Sequence, residues 1–74
     1  MSLVLVTRRN CHLCDEALAI LHDLGAQPDL ADVDSDDRLF DQYDWRVPVL
    51  MLEGRVVAEG RMTQDQVRKA LGLA

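Results

Sequence analysis

Basic residues, aromatic residues and cysteines are all scarce in this 74-residue sequence. Eight lysines and arginines stand against 13 aspartates and glutamates, which gives a formal net charge of −5 at pH 7. Binding to nucleic acid or to an anionic membrane surface depends on cations that meet phosphate groups, so this acidic balance argues against both. We therefore expect the partners to be proteins or small molecules, with no nucleic acid and no membrane.

The sequence also has no apolar run near the roughly 18 residues that a membrane-spanning helix needs. Residues 1–6 are too short for the apolar core of a signal peptide, and no basic residue precedes them. We therefore expect a cytoplasmic protein, in which two cysteines are normally kept reduced. Because no repeat, linker or low-complexity tract interrupts the chain, residues 1–74 are predicted to form one domain, and we expect a monomer.

Hydrophobic periodicity and turn signals predict seven elements in the order β-α-β-α-β-β-α. Apolar runs predict strands at residues 3–6, 30–33, 47–52 and 55–58. Helices are predicted to begin after Asn10, Ser35 and Thr63, because each of these side chains can cap a helix. An early βαβ unit followed by a late hairpin predicts an α/β fold with a four-stranded mixed sheet flanked by helices. The three aromatic residues at positions 40, 43 and 45 are predicted to pack in the core or at its edge, and the alternative is an aromatic rim near the site.

The two cysteines form a single CxxC motif directly after the first predicted strand. Side chains three positions apart on a helix have Cβ atoms about 5–6 Å apart, close enough for Cys11 and Cys14 to form a disulfide after a small adjustment. Cys11 is nearer the helix N-terminus, where free N–H groups and the helix dipole favour a thiolate, and His12 and Arg8 add positive charge. Cys14 lies deeper and precedes two acidic residues, so it should keep its proton. Thiol–disulfide exchange needs this asymmetry.

Other interpretations of the pair remain open at this point. A structural disulfide that closes four residues would contribute only about 2 kcal/mol, and two inert thiols could simply pack as small hydrophobes. A structural zinc site usually takes four ligands, whereas this chain has one CxxC motif, so we predict no metal site within the chain alone. The alternative to a redox enzyme is a binding module in which Cys11 and Cys14 hold a metal or an iron–sulfur cluster together with a partner chain or glutathione.

Several segments carry a resemblance to a known family. The TRRNCHLCDE segment at residues 7–16, Asp32-Val33-Asp34, the RVPVL segment at residues 46–50 and the hairpin that ends at Gly60 resemble the glutaredoxin-like branch of the thioredoxin superfamily. They are most similar to small bacterial glutaredoxin-like proteins with a C-x-L-C-D-E motif, over nearly the whole chain. The resemblance implies a thioredoxin-like fold and thiol–disulfide oxidoreductase activity.

The resemblance also implies roles for individual residues. Cys11 is expected to be the attacking thiolate and Cys14 the resolving thiol. Pro48 is expected to follow a cis peptide bond and to face the disulfide, while the Val47 backbone pairs with an extended substrate segment. Without the resemblance, a trans proline at the start of a strand would be the ordinary interpretation of Pro48.

The remaining predicted substrate-binding residues are Arg8, His12, Arg46 and Gly60. Arg8 falls where glutaredoxins have a lysine that meets a glutathione carboxylate. In glutaredoxins, a segment with two glycines and acidic residues holds the amino end of glutathione. This chain has one of those glycines, Gly60, but lacks the acidic residues. No cofactor is expected to be bound permanently. The expected partners are a disulfide-containing protein or a glutathione mixed disulfide as substrate, and a reductase or glutathione as electron donor.

Overall fold

A four-stranded mixed sheet forms the centre of the computed structural model, which describes residues 2–73. The strands are β1 (Leu3–Thr7), β2 (Asp29–Asp32), β3 (Val49–Leu52) and β4 (Arg55–Glu59), and the helices are α1 (His12–Asp23), α2 (Asp37–Tyr43) and α3 (Gln64–Ala70). A 3-10 turn at Val33–Ser35 precedes α2. The predicted element order and the α/β fold are confirmed. Within the described residues, no helix has the length and apolar character to cross a membrane.

The order of the strands in the sheet is β2-β1-β3-β4, and this order brings the segments that carry the predicted site to one end. β1 and β2 are parallel, with Thr7 opposite Asp32. β3 is antiparallel to both of its neighbours, so Val49 at its start lies opposite Val6 of β1 and Glu59 of β4. The segments that follow β1, β2 and β4 and the segment that precedes β3 therefore converge at one end of the sheet, called the site end below.

Apolar side chains cover both faces of the sheet. On one face, the buried residues come from β1, β3, α1, α3 and the segment before α3: Leu5, Ala17, Leu21, Leu50, Met62 and Val67. On the other face, Val6 and Val49 pack with Val33 of the 3-10 turn and Tyr43 of α2. A strand that is covered on both faces needs apolar residues at successive positions. This explains why β1 and β3 stand out in the sequence as continuous apolar runs.

Two of the three predicted helix caps are wrong by one residue. Asn10 does not cap α1, because it adopts a positive φ of 58° in the preceding turn, and Cys11 itself is the N-cap. Ser35 does not cap α2, because it belongs to the 3-10 turn, and Asp36 caps α2 by accepting hydrogen bonds from two backbone N–H groups. The cap at Thr63 is confirmed and forms a reciprocal capping box with Gln66, with hydrogen bonds of 3.2 and 3.0 Å.

The strand boundaries and one aromatic residue also differ from the predictions. β2 begins at Asp29 and ends before Val33, and β3 begins only at Val49. Tyr43 is buried as predicted, but Trp45 is 89% exposed and contributes nothing to the core. The prediction that this tryptophan packs in the core or at its edge is wrong. Its position directly after α2, in the segment that leads to β3, keeps it outside both apolar clusters.

Candidate redox site

Cys11 and Cys14 lie within disulfide-bonding distance, with their Cα atoms 5.2 Å apart. Cys11 has an extended backbone conformation and caps α1. Its carbonyl accepts a hydrogen bond from the backbone N–H of Asp15 at 3.1 Å, and its Sγ accepts one from the backbone N–H of Cys14, also at 3.1 Å. The geometry at the start of α1 therefore allows the two cysteines to form the predicted disulfide.

The two sulfurs occupy different surroundings. Cys14 is one turn into the helix and only 3% exposed, whereas Cys11 is half-buried at the helix N-terminus. In an N-cap, the side-chain atom that accepts from the helix N–H groups is usually an oxygen, and here it is Sγ. Such N–H groups and the positive end of the helix dipole stabilise a negative charge on that atom. The arrangement favours a thiolate at Cys11 when the pair is reduced and keeps Cys14 away from solvent.

The peptide bond between Val47 and Pro48 is cis, as the resemblance implied. Pro48 is fully buried, and its carbonyl accepts a hydrogen bond of 2.8 Å from the backbone N–H of Gly60. Gly60 itself has a positive φ of 70°, a conformation that favours glycine. Val47 is half-buried and packs against the apolar cluster beneath α2. These three residues therefore lie together at the site end, where the start of β3 meets the end of β4.

Arg8 follows β1 at the site end and binds two carboxylates. Its Nε and Nη2 donate to the two carboxylate oxygens of Asp34, each at 2.9 Å. Nη1 donates to the carbonyl of Asp44 at 3.0 Å, and Nη2 also donates to its carboxylate. The hydrogen bond with Arg8 lowers the pKa of Asp34 from its ordinary 3.8. The hydrogen bonds with Asp34 and Asp44 raise the pKa of Arg8. The guanidinium carbon lies 5.9 Å from the centre of the Phe40 ring.

Arg46 precedes Val47 and is held in a similar way. Its Nε donates to the carboxylate of Glu59 at 2.6 Å, and its guanidinium carbon lies 5.0 Å from the centre of the Tyr43 ring. The hydrogen bond with Glu59 raises the pKa of Arg46. The side chain of His12 is 89% exposed and so lies in solvent. Its Nε2 is 3.2 Å from a carboxylate oxygen of Glu16 in the same helix.

Sequence reasoning missed Asp34 and Asp44 as part of the site. Asp34 lies in the Asp32-Val33-Asp34 segment that carries the resemblance but was not predicted to bind another side chain, yet Arg8 joins it to Asp44 across three segments of the chain. A signal existed, because parallel neighbours β1 and β2 end side by side and so place the residues after Thr7 near the residues after Asp32. Within residues 2–73, no group of three or more His, Cys, Asp or Glu side chains is arranged to hold a metal ion.

The fold and the position of the CxxC pair define a protein of thioredoxin-like fold. The structure of the thioredoxin-like protein BC3987 is similar at 23% identity, with a TM-score of 0.72 over 93% of this chain and 99% of that one. At this identity the likeness supports the fold alone. A comparison with curated proteins gives no significant match.

The chain belongs to the family described as the glutaredoxin-like domain (DUF836), which matches residues 2–72. The X-ray structure of protein XcR50 from X. campestris is 33% identical, with a TM-score of 0.83 over 99% of each chain. The solution structure of protein Ne2328 from Nitrosomonas europaea is 28% identical, with a TM-score of 0.81 over 99% of this chain and 91% of that one. The resemblance to glutaredoxin-like proteins is thus confirmed.

Proposed function

We propose that this protein is a thiol–disulfide oxidoreductase that uses Cys11 as its nucleophile and Cys14 as its resolving thiol. The observation that carries the proposal is the placement of the pair. Cys11 caps α1 with its sulfur, while Cys14, within bonding distance, is buried in the first turn. One thiol is thus stabilised as a thiolate and is accessible, and the other is close enough to displace whatever the first has bound.

The exchange takes place in two steps that balance in atoms and electrons. The Cys11 thiolate attacks one sulfur of a substrate disulfide, which forms a mixed disulfide and releases the other substrate sulfur as a thiolate that takes a proton from water. Cys14 then loses its proton and attacks the Cys11 sulfur, which releases the second substrate thiolate and leaves the Cys11–Cys14 disulfide. Two electrons pass from the protein to the substrate, and a reductase or glutathione must return them.

The substrate main chain is proposed to bind beside Val47 and Pro48. These residues precede β3, and Cys11 follows β1, so the antiparallel pairing of the two strands brings both segments to the site end. Arg8, His12, Arg46 and Gly60 belong to the same proposed substrate site, His12 and Gly60 through direct contact and Arg8 and Arg46 through the segments that they hold in place. All four lie in segments that reach this end of the sheet or in the first turn of α1.

Reduction of insulin disulfides by single-cysteine variants tests the proposal. Cys11→Ser should abolish turnover, and Cys14→Ser should lose turnover but accumulate a mixed disulfide on Cys11 that mass spectrometry detects. His22→Ser, an exposed change near the end of the same helix, is the matched control and should behave like the parent protein. Retained turnover in Cys11→Ser would refute the assignment. Zinc or iron bound to the purified protein through both cysteines would favour the binding-module alternative instead.

A further inference from the structure

Arg8 has almost no hydrogen-bonding capacity left for an external ligand. A guanidinium group carries five N–H donors and no acceptor. Its contacts with Asp34 and Asp44 use four of those five donors. The paired Nε and Nη2 donors, which suit a carboxylate best, already hold both oxygens of Asp34. An incoming carboxylate would have to displace a carboxylate that the protein itself supplies.

The second arginine of the site is also neutralised. Arg46 holds the carboxylate of Glu59 through Nε and donates to the carbonyl of Gln42 through Nη1 at 3.4 Å. Together, the two guanidinium groups are bound to three carboxylates, those of Asp34, Asp44 and Glu59. These two guanidinium groups and three carboxylates together carry a net charge of −1, and the whole chain has an excess of acidic groups. This cluster therefore offers no attraction to an anionic ligand.

Arg8 instead connects the segments that form the site. It belongs to the segment that leads from β1 to Cys11, it binds the 3-10 turn through Asp34, and it binds the residue after α2 through Asp44. Asp44 is followed after two residues by Val47 and the cis bond to Pro48. The arginine thus fixes the segment of the nucleophile relative to the segment proposed to bind substrate.

From these contacts, we infer that Asp34 and Asp44 determine specificity by occupying Arg8, so that the site accepts disulfides of protein segments and discriminates against anionic thiols such as glutathione. The inference rests on the proposed function and names its substrate class. Arg8 is then a positioning residue. Two other arginines, Arg9 and Arg61, are exposed at the site end and form no ion pair within residues 2–73, so they are the competing candidates for attraction of an anion.

Reduction of the Cys11–Cys14 disulfide by small thiols measures this discrimination. A thiolate attacks the Cys11 sulfur and forms a mixed disulfide while Cys14 leaves as a thiolate and takes a proton. A second thiolate then attacks the sulfur of the bound thiol, which yields the small-molecule disulfide and frees Cys11. Glutathione carries a net negative charge at pH 7, and 2-mercaptoethanol carries none. The two thiols also differ in size, so the change in the ratio of their rate constants per thiolate between parent protein and variant isolates the contribution of ligand charge.

Asp34→Asn should raise the ratio of glutathione to 2-mercaptoethanol rates roughly fivefold, because it releases charge-assisted hydrogen bonds of Arg8 for a ligand carboxylate. The control variant Asp41→Asn removes the same charge at an exposed position of α2 that forms no hydrogen bond with Arg8. It should change the ratio by less than about twofold. Arg8→Gln should slow both thiols in parallel and leave the ratio within about twofold, which is the behaviour of a positioning residue.

An unchanged ratio in Asp34→Asn would overturn the inference. A tenfold fall of the ratio in Arg8→Gln would also overturn it, because it would show that Arg8 already anchors glutathione. Both results would leave the proposed function standing, provided that the parent protein reduces insulin. Absence of insulin reduction by the parent protein would instead refute the proposed function.

Discussion

The asymmetry of the two sulfurs predicts strongly selective alkylation of the reduced protein. When the disulfide has been reduced with dithiothreitol and the reagent removed, a limiting amount of iodoacetamide at pH 7 should modify Cys11 and spare Cys14. Iodoacetamide reacts with the thiolate, so both ionisation and access decide the rate. Cys11 has both advantages, because it caps α1 and is half-buried, while Cys14 is 3% exposed.

The expected size of the effect follows from the geometry. A cap position at the helix dipole contributes about 0.3–1 kcal/mol and a charge-assisted hydrogen bond about 1.5–3 kcal/mol in favour of a thiolate. A free cysteine is roughly 3% ionised at pH 7, so Cys11 gains at most about 30-fold in thiolate, partly offset by the lower nucleophilicity of a more acidic thiol. Cys14 must first be exposed by opening of the helix end, and an opening cost of about 2 kcal/mol slows it roughly 30-fold. We expect a preference for Cys11 of about a hundredfold or more.

Mass spectrometry reads this preference directly. Trypsin cleaves after Arg9 and next after Arg38, so both cysteines lie in one peptide, and fragmentation between them assigns the label. The same protein in concentrated urea is the control, in which the two cysteines should react at similar rates. Equal labelling of the folded protein, or faster labelling of Cys14, would refute the reasoning about the helix N-terminus.

Three further predictions concern stability and its dependence on pH, each measured by urea unfolding. Leu50→Ala should lower the free energy of unfolding by about 2–5 kcal/mol because this side chain is fully buried, whereas Leu30→Ala, at a 57% exposed position, should change it by less than about 0.5 kcal/mol. Thr63→Ala should cost about 1 kcal/mol by removing the cap of α3, and Thr63→Ser should retain most of that energy. Because folding lowers the pKa of Asp34 from 3.8, its ion pair with Arg8 stabilises the protein above that pH and loses its effect as the pH falls through the lower folded value. Asp34→Asn should therefore destabilise the protein at pH 7, and its difference from the parent protein should shrink as the pH falls below 3.8.

Each of these predictions has an outcome that contradicts it. Equal losses in the two leucine variants would mean that burial does not determine their contribution. A Thr63→Ser variant as unstable as Thr63→Ala would argue against the hydroxyl as a cap. A difference between Asp34→Asn and the parent protein that grows as the pH falls would have the wrong sign for a carboxylate with a lowered pKa.

The element order could be predicted because each local signal agrees with the fold. β1 and β3 are covered on both faces and so appear as uninterrupted apolar runs, and Thr63 and Gln66 have the spacing of a capping box. The start of α1 could not be placed to the residue. Asn10 is the stronger capping residue by type, but its positive φ in the preceding turn leaves the cap to Cys11.

Only those parts of the candidate site could be predicted whose residues lie within one short motif or in segments that carry the family resemblance. The proximity of the two cysteines follows from their spacing, because side chains three positions apart at the start of a helix have Cβ atoms about 5–6 Å apart. The partners of Arg8 are 26 and 36 residues away in sequence, and no local pattern encodes such contacts. The exposure of Trp45 was likewise unpredictable, since it depends on where the segment between α2 and β3 lies relative to the core and not on the hydrophobicity of the side chain.

An equilibrium titration of the purified protein against dithiothreitol redox buffers tests the central claim most directly. The protein should pass between dithiol and Cys11–Cys14 disulfide in a single two-electron transition, in which about 30 mV corresponds to a tenfold change in the equilibrium constant. The transition should disappear in both Cys11→Ser and Cys14→Ser. A protein that forms no disulfide between these residues at any potential of the titration, or that forms disulfides only between two chains, would contradict the account.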